Sequence, residues 1–335
     1  MRCYHAFMEK IEIVIGEGAV GLRLDKALAD AMPTVSRVKV KELIEAGAVA
    51  IDGAAITDVR RKVVAEEVYI VALPEEKNES VVVPENIPLE ILYEDDDVIV
   101  INKPAGMVVH NGAGVRGGTL VNALAFHTGG RLASQGSELG RDGIVHRLDK
   151  DTTGAMMACK TDAAFTVMAK QFESHEVRRE YVALVWGVMN PIAGTCDANI
   201  DRSSRDFSKM CVVKDGGRRA ITHYTTEEVF TIGRQAVASL VRFRLETGRT
   251  HQIRVHSAFV GNPVVGDMVY GDAGRRLRTI EVREAAALLA PIARQMLHSE
   301  NIEFHHPVSG RRIKKRAEMP KDFAVLLRRV RKLSN

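Results

Sequence analysis

"GIVHRLDKDTTG", residues 143–154, is the stretch on which the reading of this chain turns. An apolar pair, Ile144 and Val145, runs into His146, Arg147, Leu148 and Asp149, and the chain then breaks at Thr152, Thr153 and Gly154. The pattern predicts a short strand ending in a carboxylate, flanked by Arg147 and Lys150, just before a turn. Two readings compete. A carboxylate between cations at a strand end is most often a surface salt bridge, worth about 0–1 kcal/mol. The other reading is an ionised catalytic aspartate held beside cations, and the rest of the chain chooses between them.

The bulk properties narrow the classes. The 335 residues suffice for two domains or for one large domain with an appendage, and 46% hydrophobic residues allow a large core. No run approaches the roughly eighteen apolar residues of a membrane span. The first residues, "MRCYHAFMEKIEIVIG", lack the apolar centre of a signal peptide, and the patterned sequence begins after Met8. Cys3, Cys159, Cys196 and Cys211 form no C-x-x-C pair. A cytoplasmic, reduced, metal-free protein is expected. Net charge is only +4, but residues 311–332 hold ten Lys or Arg against Glu318 and Asp322, and acids gather in 75–97. Clustered positive charge favours a polyanion, because neutralising phosphates releases counterions. Phe323, Leu326, Leu327 and Val330 give the last helix an apolar stripe, so it should dock with its arginines outward.

Residues 9–73 read as a small unit. Leu24, Ala27, Leu28 and Ala31 follow helical spacing, with Pro33 as the stop. Thr34 or Ser36 can cap a second helix carrying Val40, Leu43 and Ile44, which ends at Gly47. "AVAIDGAAI" then reads as a hairpin around Asp52-Gly53. Arg37, Lys39 and Lys41 project from the second helix beside Arg23 and Lys26, giving a basic face. Two short helices, a basic face and a β turn resemble the S4 RNA-binding module, and the resemblance implies RNA contacts for Arg23, Arg37, Lys39 and Lys41.

Residues 74–88 are polar and Pro-bearing and read as a linker. The block 89–330 opens with "LEILYE" and "VIVINKP", hinged at Asp95-Asp96-Asp97, and continues with strand-like runs at 181–187, 220–230 and 239–248. Helical runs fall between, at "TLVNALAFH", "DAAFTVMAKQFES" and "EVREAAALLAPIARQML". The order predicts an α+β domain on a bent, mostly antiparallel mixed sheet flanked by helices. Gly112, Gly114 and Gly117 satisfy G-x-G-x-x-G, but the helix after them runs into a long loop rather than a parallel strand, so a dinucleotide site is rejected. His251 and His256, five apart, share no helical face and are discounted as a metal pair.

Three further segments set polar residues into apolar frames. In "REYVALVWG", Tyr181, Ala183 and Val185 face one side, and Val182, Leu184 and Trp186 the other. "LETGRTHQIRVH", 245–256, packs Arg249, Thr250, His251, Gln252, Arg254 and His256 into eight residues, which suits an active-site or RNA-facing loop leading into a helix. "NKPAGMVVH", 102–110, ends a strand at Lys103-Pro104. Together with the opening stretch, these segments resemble the signature segments of the RluA-type pseudouridine synthases, in order and spacing. With the S4-like unit in front, the chain is similar to the RluD-like branch, which modifies 23S ribosomal RNA. Asn111 stands where that pattern has proline, "GAMMACK" replaces a more aliphatic strand, and 272–292 has no counterpart.

The resemblance implies that Asp149 is the essential aspartate, Tyr181 the active-site tyrosine and Arg254 the arginine paired with the aspartate. Arg147, with His146 and Arg249, would contact RNA near the extruded nucleotide. Carboxylates recur in glycosyl transfer because they stabilise or trap positive character at the anomeric carbon. Burial opposes an ionised carboxylate, and an adjacent guanidinium offsets that cost. Asp149 could attack C1′ or remove a sugar proton. Asp142 and Asp151 are its local rivals. No cofactor is implied, the partner is ribosomal RNA, and a monomer suffices. Alternative readings are a ribosome assembly factor that does no chemistry and an enzyme acting on transfer RNA.

Overall fold

The computed structural model describes residues 8–32, 35, 37–74, 82–112, 115–135 and 141–334. Contacts divide the chain into two compact units, Met1–Asn78 and Glu79–Asn335. Pro33, Thr34, Ser36, Cys3, Gly114 and the linker residues 75–81 lie outside the described residues.

In the smaller unit, strands β1 (Met8–Val14), β2 (Val49–Ile51), β3 (Ala54–Ile56) and β4 (Val68–Pro74) form an antiparallel sheet in the order β1-β4-β2-β3. Helices α1 (Leu24–Ala31) and α2 (Arg37–Glu45) lay Leu24, Leu28, Val40, Leu43 and Ile44 into one core with Val49, Tyr69 and Val71. The hairpin turn has φ 48° at Asp52 and φ 78° at Gly53, the positive pair that a tight turn of this hand requires.

The larger unit is built on a nine-stranded sheet. Its strands are β5 (Ile91–Glu94), β6 (Val98–Lys103), β7 (Thr153–Cys159), β8 (Arg178–Trp186), β9 (Ala193–Asp197), β12 (Ile221–Ile232), β13 (Gln235–Leu245), β14 (Leu297–His305) and β15 (Arg312–Arg316). The order is β5-β6-β7-β14-β8-β13-β12-β9, with β15 beside β14. Among the described residues only the β7–β14 pair of this sheet is parallel. Strands β10 (Asn199–Arg202) and β11 (Met210–Val213) form a separate hairpin.

The alternation in β8 builds both faces. Tyr181, Ala183 and Val185 join one core with Leu124, Phe243 and Ile253, while Val182, Leu184 and Trp186 join another with Phe230 and α8 (Lys321–Ser334). Helix α8 buries Phe323, Leu326, Leu327 and Val330, each worth about 1.5–3 kcal/mol over exposure. Helices α3 (Leu120–His127) and α4 (Asp162–Glu173) cover further parts of the sheet, and α5 (Gln252–Phe259) follows β13.

Three expectations are corrected. Residues 143–152 form no strand: the strand of that region is β7, which begins after Asp149. The apolar pair Ile144–Val145 is too short to win a place in the sheet, and the loop is held instead by turn bonds such as Ile144 N–H to Arg141 O. The helix expected over 281–297 is only α7 (Arg283–Leu289), because Pro291 follows and Leu297 opens β14. Part of the linker expected over 74–88 is packed rather than free: Glu85 N–H donates to Asn122 O, and Ile87 packs on the main core. The unmatched segment 272–292 supplies α6 (Ala273–Arg278) and α7, whose Ala285 and Leu289 are buried.

Candidate active site

The opening stretch is an irregular loop pinned at both ends by glycines. A Cβ on Gly143 would run into Cys159 O, and one on Gly154 into the Ser299 backbone, and both residues have positive φ. Between them, Thr152 N–H closes a turn on Asp149 O. From β6, fully buried Lys103 donates to Pro104 O, Met107 O and Lys150 O at 2.8–2.9 Å, tying the "NKPAG" segment to the residue after Asp149. Burial lowers the Lys103 pKa to about 8, with the Asp149 and Asp151 charges resisting the fall.

Asp149 opens into a cavity of about 960 Å³, while its Oδ2 receives Arg254 Nη1 at 3.0 Å. Arg254 is itself gripped from behind. Its Nε and Nη2 donate to the two oxygens of Asp267 at 2.7 and 2.9 Å, and Asp267 is buried. Burial opposes the guanidinium charge, but the bonds and charges of Asp267 and Asp149 outweigh it and hold the Arg254 pKa above its ordinary value. Asp267 Oδ1 also accepts Val269 and Tyr270 N–H, and the Tyr270 ring lies 5.0 Å from the guanidinium carbon. One guanidinium thus joins a structural carboxylate to one that faces the cavity.

The other Asp149 oxygen is left open. It accepts no hydrogen bond among the described residues, and His251 Nε2 lies 3.9 Å from it. His251 sits at the left-handed residue that starts α5, φ 57°, and its Nδ1 meets the Tyr270 hydroxyl at 2.8 Å. That hydroxyl oxygen accepts Met210 N–H, so its own proton turns to Nδ1, and the ring proton is placed on Nε2, facing Asp149. Burial holds the His251 pKa below its usual value, so the ring is neutral near pH 7.

Tyr181, Arg147, Arg249 and Arg254 line the same cavity as Asp149, whereas Asp142 and Asp151 do not. Tyr181 is buried, and that burial, with the Asp149 charge, raises its phenol pKa, keeping it neutral. Arg147 is exposed at the mouth, with Nη1 3.4 Å from His110 Nε2. Arg249 donates to Arg219 O. His146 lines the cavity as well. Its Nε2 accepts Met157 N–H, its ring stacks on Phe172, and burial drops its pKa to about 3. It packs in the cavity wall as a neutral ring and offers no cation to a ligand.

On the smaller unit, Arg23 and Arg37 both grip the buried Asp25, while Lys39 and Lys41 pair with Glu42 and Glu45 at 3.5 and 3.6 Å. The basic face is therefore partly neutralised by its own acids. Asn111, the departure from the proline pattern, is buried, and its Oδ1 accepts the Thr119 hydroxyl at 3.2 Å.

Sequence reasoning missed Asp267, Tyr270, Arg179, Arg202 and Arg218. Arg179, Arg202 and Arg218 all line the cavity, the last two from the β10–β11 hairpin and the segment after it. The signal for Asp267 was a lone acid in "VVGDMVYG", which carries no mark of burial.

The carboxylate, the buried tyrosine and the doubly bound arginine can be set beside known proteins. The family described as RNA pseudouridylate synthase matches residues 97–259, and the S4 domain matches residues 22–68. A Zymomonas mobilis protein named ribosomal large subunit pseudouridine synthase D is 41% identical over 95% of this chain and 96% of its own length. A Xanthomonas campestris protein of the same name is 42% identical over 96% of this chain and 92% of its own. The solved structure of human RNA pseudouridylate synthase domain containing 4 superposes with a TM-score of 0.52 at 25% identity, covering 72% of this chain and 93% of that one. With near full-length relatives at this identity, and with the matched segment running from the start of β6 through the Asp149 loop to the end of α5, the chain belongs to the RNA pseudouridylate synthase family.

Proposed function

We propose that this chain isomerises uridines of large-subunit (23S) ribosomal RNA to pseudouridine, with Asp149 as the catalytic carboxylate, Tyr181 against the base and Arg254 holding Asp149 in place. One observation carries the reading: among the described residues Asp149 Oδ1 accepts no hydrogen bond and faces a cavity large enough for a nucleotide, while Arg254 fixes Oδ2. The names of the relatives and the S4 match support a ribosomal RNA substrate.

The reaction breaks the N1–C1′ bond, turns the uracil and joins C5 to C1′; C5 gives up a proton and N1 gains one, so the base keeps its composition. No oxidant, reductant or cofactor is consumed. Oδ1 is the oxygen that meets the sugar as positive character grows at C1′, while Arg254 fixes Oδ2. Tyr181, neutral and walled by apolar neighbours, is a flat surface for the detached ring. The uridine must leave its stack to reach Asp149, at a cost of a few kcal/mol, which favours a loop or distorted nucleotide. Arg147 and Arg249 at the cavity, with Arg23, Arg37, Lys39 and Lys41 on the S4 unit, supply sequence-independent grip on the backbone. The protein acts as a monomer in the cytoplasm.

The test uses unmodified 23S ribosomal RNA, assembled large subunits and transfer RNA, each incubated with the protein and mapped by carbodiimide labelling and primer extension. New stops in 23S RNA or in subunits support the reading and name the uridines. Stops in transfer RNA alone replace the substrate. Tight binding to subunits without any stop identifies a non-catalytic assembly factor.

A further inference from the structure

Arg179, on β8 two residues before Tyr181, is 6% exposed. Arginines so deeply buried pair with a carboxylate, because an uncompensated charge away from water costs several kcal/mol. Among the described residues the other deeply buried arginine and lysine have their partners: Arg254 has Asp267 and Asp149, and Lys103 has three carbonyls. The Arg179 side chain makes no hydrogen bond or ion pair among the described residues, and its Nε is buried without an acceptor. Its guanidinium carbon lies 5.3 Å from the centre of the Phe172 ring, and its Nη1 runs beside Gly248, where a Cβ would crowd it. Burial lowers its pKa, as expected for a charge without a counter-ion.

The guanidinium also borders the cavity. Arg141, Arg147, Arg202, Arg218 and Arg249 line that cavity too, against the two acids Asp149 and Glu173. The surplus is positive, and Arg179 is its most deeply buried unpaired member. Residues two apart on a strand point to the same face, roughly 6.6 Å apart along it. Arg179 and Tyr181 are therefore spaced to meet two parts of one bound nucleotide.

We propose that Arg179 is the buried seat of a phosphodiester group of the extruded nucleotide, so that base and phosphate of one residue are read from one strand. The proposal rests on the reading of the cavity as the uridine site. The charge stays unpaired in the free protein and receives its anion only with RNA. It is a binding and positioning residue and takes no proton in the reaction. A phosphate met inside the cavity fixes the sugar's distance from Asp149, which no contact at the mouth can do.

The test compares the full chain with Arg179→Met and Arg179→Lys, reading thermal stability without RNA and pseudouridine formation on 23S ribosomal RNA. A methionine fills the site without a charge. The proposal expects Arg179→Met to melt at the same temperature or a few degrees higher, while its KM rises at least tenfold. The slope of log KM against log salt should become shallower by about one. Arg179→Lys, which keeps the charge, should recover part of the lost affinity. A lowered melting temperature with unchanged KM and salt slope would mean a packing residue and would overturn the proposal. Wild-type protein that forms no pseudouridine fails the reading of the cavity itself, which that control reports separately.

Discussion

Two arginine–aspartate clusters in this molecule are mirror images in stoichiometry. In the smaller unit one carboxylate takes two guanidiniums: Arg23 and Arg37 place four bonds on Asp25, whose side chain is 6% exposed. In the larger unit one guanidinium serves two carboxylates, and only Asp267 is saturated, while Asp149 keeps one oxygen open and 17% of its side chain exposed. The difference lies in what is left over. Asp25 has spent its acceptors on holding α1 to the start of α2, so it is structural. Asp149 is held firmly by one oxygen and offers the other, which is what a catalytic carboxylate requires. The same residue types at similar burial thus separate by unfilled bonding capacity.

The largest way to break this contrast is Asp267→Asn. It leaves buried Arg254 with one carboxylate, so the fold should lose about 3–5 kcal/mol by thermal melting. Asp149 loses its fixed partner, and kcat should fall about 10²-fold with KM little changed. Asp25→Asn probes the other cluster: stability should drop by about 1–3 kcal/mol, at the low end because both arginines can turn to water, with kcat unaltered.

His146 sharpens the case through pH. Burial takes its pKa from 6.5 to about 3, so between those values the unfolded chain binds a proton that the folded chain refuses. Its effect on stability is level above pH 6.5, and stability falls as pH drops from 6.5 toward 3. His146→Phe should lower the melting temperature at pH 8 but flatten that acid slope. The smallest effects belong to Lys39→Ala and Lys41→Ala, whose exposed pairs are worth about 0.2–0.5 kcal/mol. Each should reduce the salt dependence of RNA binding by about one unit of slope.

Much of the frame was legible. The two faces of β8 followed from strict alternation, the Asp52-Gly53 hairpin from the φ demanded by its turn, and the docking stripe of α8 from spacing. What failed had a common cause, since single letters do not display burial or partners. His146 and Arg147 are adjacent, line one cavity and are both cationic in type, yet one stacks on Phe172 as a neutral ring and the other stands exposed. Nothing in the sequence shows that Arg37 bonds Asp25, twelve residues earlier. Asp267 lies thirteen residues from Arg254 in a turn that reads as surface. Strand β14, "LHSENIEFH", is too polar to announce itself, although His298 and Ser299 are buried by bonds to Thr153 and Ala155.

The central claim is that the open oxygen of Asp149 does the chemistry. Its most direct test is Asp149→Asn, which keeps shape and an acceptor for Arg254 but removes the charge. Wild type and variant would be incubated with unmodified 23S ribosomal RNA, and pseudouridine mapped by carbodiimide stops, with RNA affinity measured alongside. The account predicts that the stops vanish, a rate loss of about 10⁴-fold or more, while affinity stays within a few-fold. Stops that persist at near wild-type rate would contradict it and move the chemistry to another group in the cavity.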